Sequence, residues 1–300
     1  MERRGLCIED HDDAELALRS IGYFALSGYW YPMRRADPQE IGRKIDQFID
    51  GASFNHALRL YEFDFKLRSI TSDALQRVER ALKVEVALVL GPLDAFAHMN
   101  GIFMRDANLV PKGSRSISNH QNWIDQFQKK YRNHRDVQLQ EFVDKYSEPL
   151  PIWVAIDVMD FGSITSLLGM LKAEYSNSIA KRFELVSGSD AASFLKAMNH
   201  LRNTCAHHGR LWNRVHTIHP RMPVGDASNF FYQFSGRSQT VWERTYASLL
   251  TLSYLHSQLD TSSKWSFNLS THLKTFEPGF GITFESLGVT ANWSEHPTWN

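Results

Sequence analysis

The chain has 300 residues, with 33 Lys plus Arg against 33 Asp plus Glu, and 43% hydrophobic against 22% charged residues. Those fractions fit an ordered globular protein and exclude disordered, collagen-like and disulfide-framework classes. A net charge of zero excludes a surface broadly coated in cations for non-specific nucleic-acid binding, while leaving room for a local basic site.

In chain order, residues 1–13 hold Glu9, Asp10, Asp12 and Asp13 and no apolar core segment, so no secretory signal is expected. Helical spacing appears near 12–22 and 38–49. From Ala57 the apolar positions Leu60, Phe63, Leu67, Ile70, Ala74, Val78, Ala81, Leu82, Val86 and Val89 step by threes and fours. They predict one long helix closing at Gly91-Pro92. Glu79 and Arg80 on it read as a solvated or ion-paired face. Further helical patterns lie near 119–132, 136–146, 152–171, 175–186 and 239–260, with loops at 111–114 and 148–151. Asp160-Phe161-Gly162 reads as a bend between two helices, since no kinase catalytic loop or glycine-rich loop accompanies it. The stretch from Phe280 to Val289 is the one expected hairpin.

These patterns predict an all-α fold: a helical domain over 1–220 and a C-terminal extension over 221–300 packed on it. No run of 18 apolar residues exists, so no membrane span is expected. Cys7 and Cys205 are the only cysteines, which points to a reduced, cytoplasmic setting. There is no dinucleotide fingerprint, P-loop, Gly-x-Ser-x-Gly elbow or His-Glu-x-x-His helix.

The segment Ser193 to His208 carries the most chemistry. Phe194, Ala197, Met198, Leu201 and Cys205 form one apolar stripe, which makes Cys205 a core residue. Asn199, Arg202, Asn203 and His207 fall on the opposite side at about 100° per residue. Gly209 reads as the helix stop. From Ala191 to Gly225 no acid occurs, yet the stretch contains Lys196, Arg202, Arg210, Arg214 and Arg221. It also holds His200, His207, His208, His216 and His219. A compact positive patch with Trp212 inside it suits phosphate and a stacked base. An Arg and a His suffice to cleave RNA without a metal. The imidazole titrates near neutrality, the guanidinium holds the extra charge of the phosphorane, and the RNA supplies its 2′-OH. The histidine spacing fits no standard zinc pattern, so no metal or other cofactor is expected.

Arg202-Asn203-Thr204-Cys205-Ala206-His207 resembles the Arg-polar-x-x-x-His motif of HEPN ribonucleases. The longer string from Leu201 to Arg214 resembles the hallmark of the Abi family of phage abortive-infection proteins. Blocks at Ser27–Pro32, Leu60–Asp64, Pro151–Trp153, Asp160–Gly162, Ile179–Phe183 and Trp293–Trp299 are similar to that family in the same order.

The resemblance implies a HEPN-like helical bundle that dimerises, with the motif helices of two copies forming one RNase site. Arg202 and His207 would be the catalytic pair and Asn203 the residue that orients them. The four-residue spacing of Asn203 and His207 suits that role, and the 140° between Arg202 and His207 favours a site shared between copies. An antitoxin, a small RNA or a protein, would hold such a toxin in check. His208 and Arg210 are further candidates for substrate binding. Trp212, Asn213 and Arg214 either bind substrate or stabilise the turn after the helix, and His208 either binds substrate or caps the helix. Ser27 to Pro32 reads as core packing before base binding. The alternative from another class is a non-catalytic RNA- or partner-binding helical module. A metal-dependent phosphohydrolase is the third reading.

Overall fold

A computed structural model describes residues 1–114 and 116–299, and the fold is all-α, as expected from the periodicity. It opens with α1 (His11–Ile21) and α2 (Tyr23–Trp30), followed by a short antiparallel ribbon of β1 (Arg34–Ala36) and β2 (Lys44–Phe48). Next come α3 (Phe54–Leu90), α4 (Asn119–Arg132), α5 (Val137–Tyr146), α6 (Ile152–Val158) and α7 (Phe161–Met170). Then follow α8 (Ala173–Lys181), α9 (Gly188–Ala206), α10 (Ala227–Phe230), α11 (Thr245–Ser257) and α12 (Trp265–Leu273).

The long helix α3 is the spine, packed by α2, α6, α7, α8, α9, α11 and α12. Its stripe explains this: Leu67, Ala74, Val78, Leu82 and Val86 are all fully buried. At its start the Ser53 N–H donates to Nδ1 of His56, which satisfies one of the donors a helix leaves open. It ends at Leu90, before Gly91-Pro92. The second organiser is α11, in which every residue from Thr245 to His256 is buried. A helix buried on all sides needs no amphipathic pattern, so α11 reads as a helix without an evident face.

Residues 258–299 close over α3 and α11. The Trp265 indole donates to the Ile70 carbonyl at 2.8 Å, and Trp299 donates to the Tyr246 hydroxyl at 3.2 Å. Ser270 donates to the Trp299 carbonyl. No described helix is long and apolar enough to cross a membrane.

Two expectations are corrected, and the bend expected at 160–162 is found. Residues 38–49 do not form a helix: Gly42 sits at φ 86, where a turn reverses the chain, and 44–48 pairs with 34–36 as β2. Ile41, which gave that segment its helical spacing, is fully exposed. The hairpin at 280–289 is instead a tight turn at Gly279–Ile282 and a 3-10 turn at Phe284–Leu287, stopped by Gly288 at φ 91. The pattern over 152–171 is two helices, α6 and α7. They part at Met159-Asp160, where the Asp160 side chain caps α7 through the Ser163 N–H, the bend expected there. The block 27–32 is core packing: Trp30 is fully buried and Tyr29 nearly so.

Candidate functional site

Helix α9 is placed by both faces of its sequence. Ser187 caps its start by accepting the Asp190 N–H at 3.1 Å. Phe194, Leu195, Ala197, Met198 and Leu201 bury its apolar side, and α9 packs on α3, α7, α8 and α11. Cys205 is buried and its thiol is pushed up to about 12 by that burial, so it is core and unreactive.

The helix ends in a Schellman turn. The Gly209 N–H donates to the Thr204 carbonyl and the His208 N–H to the Cys205 carbonyl, while His208 takes the left-handed backbone at φ 55. Gly209 was the expected stop, yet His208 occupies the left-handed position. Gly209 is there for space: a Cβ would stand 3.0 Å from the Thr204 carbonyl oxygen and its methyl.

On the polar side, Arg202 Nη1 donates to Asn203 Oδ1 at 3.0 Å. Arg202 Nε lies 3.7 Å from the carboxylate of Glu79 on α3, which also pairs with Lys83 at 3.2 Å. Arg80 pairs with Asp157. The α3 pair Glu79 and Arg80 is thus an ion-paired face, and one of its partners is the motif arginine itself. One turn beyond Asn203, His207 closes α9 with an exposed imidazole that makes no hydrogen bond among the described residues. His208 is exposed as well.

The residues after the helix turn inward. Leu211 and Trp212 donate their backbone N–H groups to Asp64 of α3, at 3.1 and 2.7 Å. Asp64 is fully buried and also accepts from Arg68 at 2.6 Å and from the Tyr29 hydroxyl at 2.8 Å. Burial pushes this carboxyl up, against the Arg68 charge and the three other donors. Every partner is a donor, so the carboxylate is the form this shell fits. Arg210 donates to the Gly28 carbonyl and lies over the Tyr29 and Trp212 rings. A Cβ on Gly28 would stand 2.6 Å from Arg210 Nη1, so a larger residue there would displace this guanidinium.

Trp212 has no free face. It is 0% exposed and its indole donates to the Thr283 carbonyl at 3.2 Å, which corrects the expectation that it stacks on a base. Asn213, at φ 51, accepts from Arg244, and Arg214 donates weakly to the Arg210 carbonyl while its Nε is buried without a partner. The structure therefore places Arg202 against Asn203 and Glu79 and leaves His207 and His208 exposed at the end of α9. It directs Arg210, Trp212, Asn213 and Arg214 into the turn behind it.

The histidines divide in the same way. His216 is buried and its ring is held down to about 3 by burial, then by its neighbours His200, Arg214 and His219. Thr245 gives its one hydroxyl proton to the Leu211 carbonyl, so His216 Nε2 donates to Thr245. His200 is half-buried and lowered by that burial and by Arg214. The acid-free stretch of sequence is not acid-free in space: Glu79 and Asp64 both come to it from α3, out of reach of local spacing. Among the described residues, no three His, Cys, Asp or Glu side chains gather as metal ligands would.

A cleft of roughly 630 Å³ runs beside this face of α9, walled by α4 and α7. Asn199, His200 and Asn203 line it from α9, and Asn122, Gln126 and Lys130 from α4. Sequence reasoning missed it, because α4 and α7 carry no motif and meet α9 only in the fold.

No curated protein and no solved structure matches the chain. A family model described as Abi-like protein matches residues 16–213. That match covers about two thirds of the chain, from within α1 to the turn after α9 that Asp64 anchors, and the chain belongs to the Abi-like protein family.

Proposed function

We propose that the chain is a metal-independent endoribonuclease of HEPN type that acts in phage defence by abortive infection. The observation that carries this reading is the C-terminal end of α9, where Arg202 is hydrogen-bonded to Asn203 and the His207 imidazole is exposed with no hydrogen bond among the described residues. Membership of the Abi-like family supports the defence role.

In this mechanism a basic imidazole takes the proton of the RNA 2′-OH as that oxygen bonds to phosphorus. The P–O5′ bond breaks, and an acidic imidazole protonates the departing 5′ oxygen. Arg202 faces the phosphorane and stabilises its added charge. The products are a 2′,3′-cyclic phosphate and a 5′-OH end. One His207 per helix supplies one proton carrier, so two copies of α9 meeting across a homodimer supply both the acid and the base. A small RNA or a protein antitoxin would restrain this site by covering it.

Purified protein incubated with RNA in EDTA tests the proposal. Cleavage should leave cyclic-phosphate ends, and His207→Ala should lower the rate by about 10²–10⁴-fold, the usual contribution of a general acid or base. No cleavage by the wild type, or equal cleavage by His207→Ala, removes the catalytic reading. Light scattering should give twice 34.5 kDa, and a particle of 34.5 kDa alone removes the shared site.

One observation favours the non-catalytic alternative. Glu79 already faces the guanidinium of Arg202, as in a purely structural ion pair. Toxicity in cells separates the two readings. Loss of toxicity in His207→Ala with RNA binding intact supports catalysis, whereas toxicity that survives this change supports a binding module.

A further inference from the structure

Lys196, Asn199, His200, Asn203 and His207 recur at three- and four-residue steps, so they share one face of α9. The first four line the cleft against α4 and α7, and His207 continues the row at the helix end. Eleven residues of helix span about 16 Å. The cleft and the motif histidine are thus two ends of one track.

The cleft mixes polar and apolar lining, with Trp123, Met170 and Ile218 among it. Lys130 is engaged by Asp160 at 2.6 Å and by Ser163 at 2.7 Å. Side-chain amides stand on both walls: Asn122 and Gln126 from α4, Asn199 and Asn203 from α9. Asn122 and Gln126 are exposed, and their amides make no hydrogen bond within the described chain. Asn199 Oδ1 in the α9 wall is a buried polar atom with no partner among the described residues, which is uncommon in folded proteins. Lys196 stands exposed at the rim and makes no ion pair among the described residues.

An amide presents a donor and an acceptor side by side, which is the pattern of a nucleobase edge. The amides face each other from the α4 and α9 walls, while the unpaired Lys196 stands at the rim, where a backbone phosphate would reach it. The volume lies within the range of small-molecule sites. We infer that the amide-lined cleft between α4, α7 and α9 is a nucleobase subsite for single-stranded RNA, which seats a base next to the phosphate presented to Arg202 and His207. Lys196, at the end of the row away from His207, meets the backbone phosphate on the far side of that base. This inference rests on the ribonuclease reading, since it names how that enzyme chooses its RNA.

The test uses the full chain carrying His207→Ala, so that binding is read without cleavage, and fluorescein-labelled RNA decamers of A, C, G or U. The parent should prefer one base. Asn122→Ala with Gln126→Ala, both surface changes that spare the core, should weaken the preferred decamer about tenfold or more and flatten the preference. Asn199→Ala should do the same from the opposite wall. Lys196→Ala should weaken all four decamers alike and reduce the salt dependence.

Unchanged affinity and preference in the cleft variants, with the parent binding RNA, overturns the subsite and leaves the ribonuclease reading standing. That outcome also holds if the cleft seats a protein side chain. Failure of the parent to bind any decamer overturns both.

Discussion

At the scale of single residues, two carboxylates of α3 govern the motif region. Asp64 ties the turn after α9 to the core through two backbone N–H groups while pairing with Arg68. Removing one member of a buried pair leaves the other charge unpaired, at a cost of about 3–5 kcal/mol. Asp64→Ala should therefore lower the urea midpoint strongly and raise hydrogen exchange at Leu211 and Trp212. Unchanged exchange there would show that Asp64 does not anchor the turn. On the proposed ribonuclease reading Glu79 would act in the opposite sense, because its carboxylate already faces Arg202 and would compete with RNA for it. In the His207→Ala background, Glu79→Gln should tighten RNA binding severalfold, and the gain should shrink as salt rises. Weaker binding would mean that Glu79 holds Arg202 in its working position instead. Arg202, Asn203 and His207 were legible in the sequence because six residues of one helix contain them. Glu79 and Asp64 were not, since both reach the motif from more than 120 residues away, and spacing along one helix says nothing about the helix beside it. Trp212 looked available because it follows a basic stretch, and only its packing beneath Thr283 removes it from the site.

At the scale of elements, the end of α9 sets where His207 and His208 stand. A side chain at φ 55 costs about 1 kcal/mol relative to glycine. His208→Gly should accordingly raise stability by roughly 0.5–1 kcal/mol, read as a higher melting temperature. Cleavage measured on the same variant separates two roles for the imidazole. Undiminished cleavage assigns His208 to the cap, and lost cleavage with higher stability assigns it to the substrate. A lower melting temperature would contradict the strain argument. Gly209→Ala should destabilise, because its Cβ would press on Thr204 at 3.0 Å. Helices with one buried stripe, α3 and α4 above all, were legible from three-and-four spacing. The ribbon of β1 and β2 was not, because Ile41, Ile45 and Phe48 mimic that spacing while Gly42 turns the chain between them. Neither was the cleft, whose walls belong to three helices that no local pattern brings together.

At the scale of the whole molecule, the basic stretch of sequence meets acids of α3, with Glu79 beside Arg202 and Asp64 accepting from Leu211 and Trp212. Several of the 13 histidines are governed by burial, while His207 and His208 stand exposed. His98 is fully buried between Trp123 and Phe127 with neither ring nitrogen bonded, and burial, then His120, holds it down to about 4. His216 is held near 3. His200, His256, His272 and His296 are lowered too, each chiefly by burial. The unfolded chain binds protons on these rings near pH 6.5, whereas the folded chain takes them up on His98 and His216 only near 4 and 3. Between those values the unfolded state holds more protons, so stability falls as pH falls from about 6.5 toward 4. Full development of the effect is about 1.4 kcal/mol per pH unit for each ring, or roughly 3 kcal/mol per unit for His98 and His216 together. Asp160 joins only below this window. Although burial opposes its charge, Lys130 and the Ser163 N–H hold its carboxyl at about 2, so its contribution is lost between pH 3.8 and 2. Urea midpoints measured at pH 5, 6, 7 and 8 should therefore be level above pH 7 and drop steeply below 6.5. His98→Leu combined with His216→Gln, which keeps a donor for Thr245, should flatten that drop. A wild-type profile that stays level from pH 7 to 5 would mean that these rings take up protons in the folded chain as readily as in the unfolded one, and the burial argument would fail.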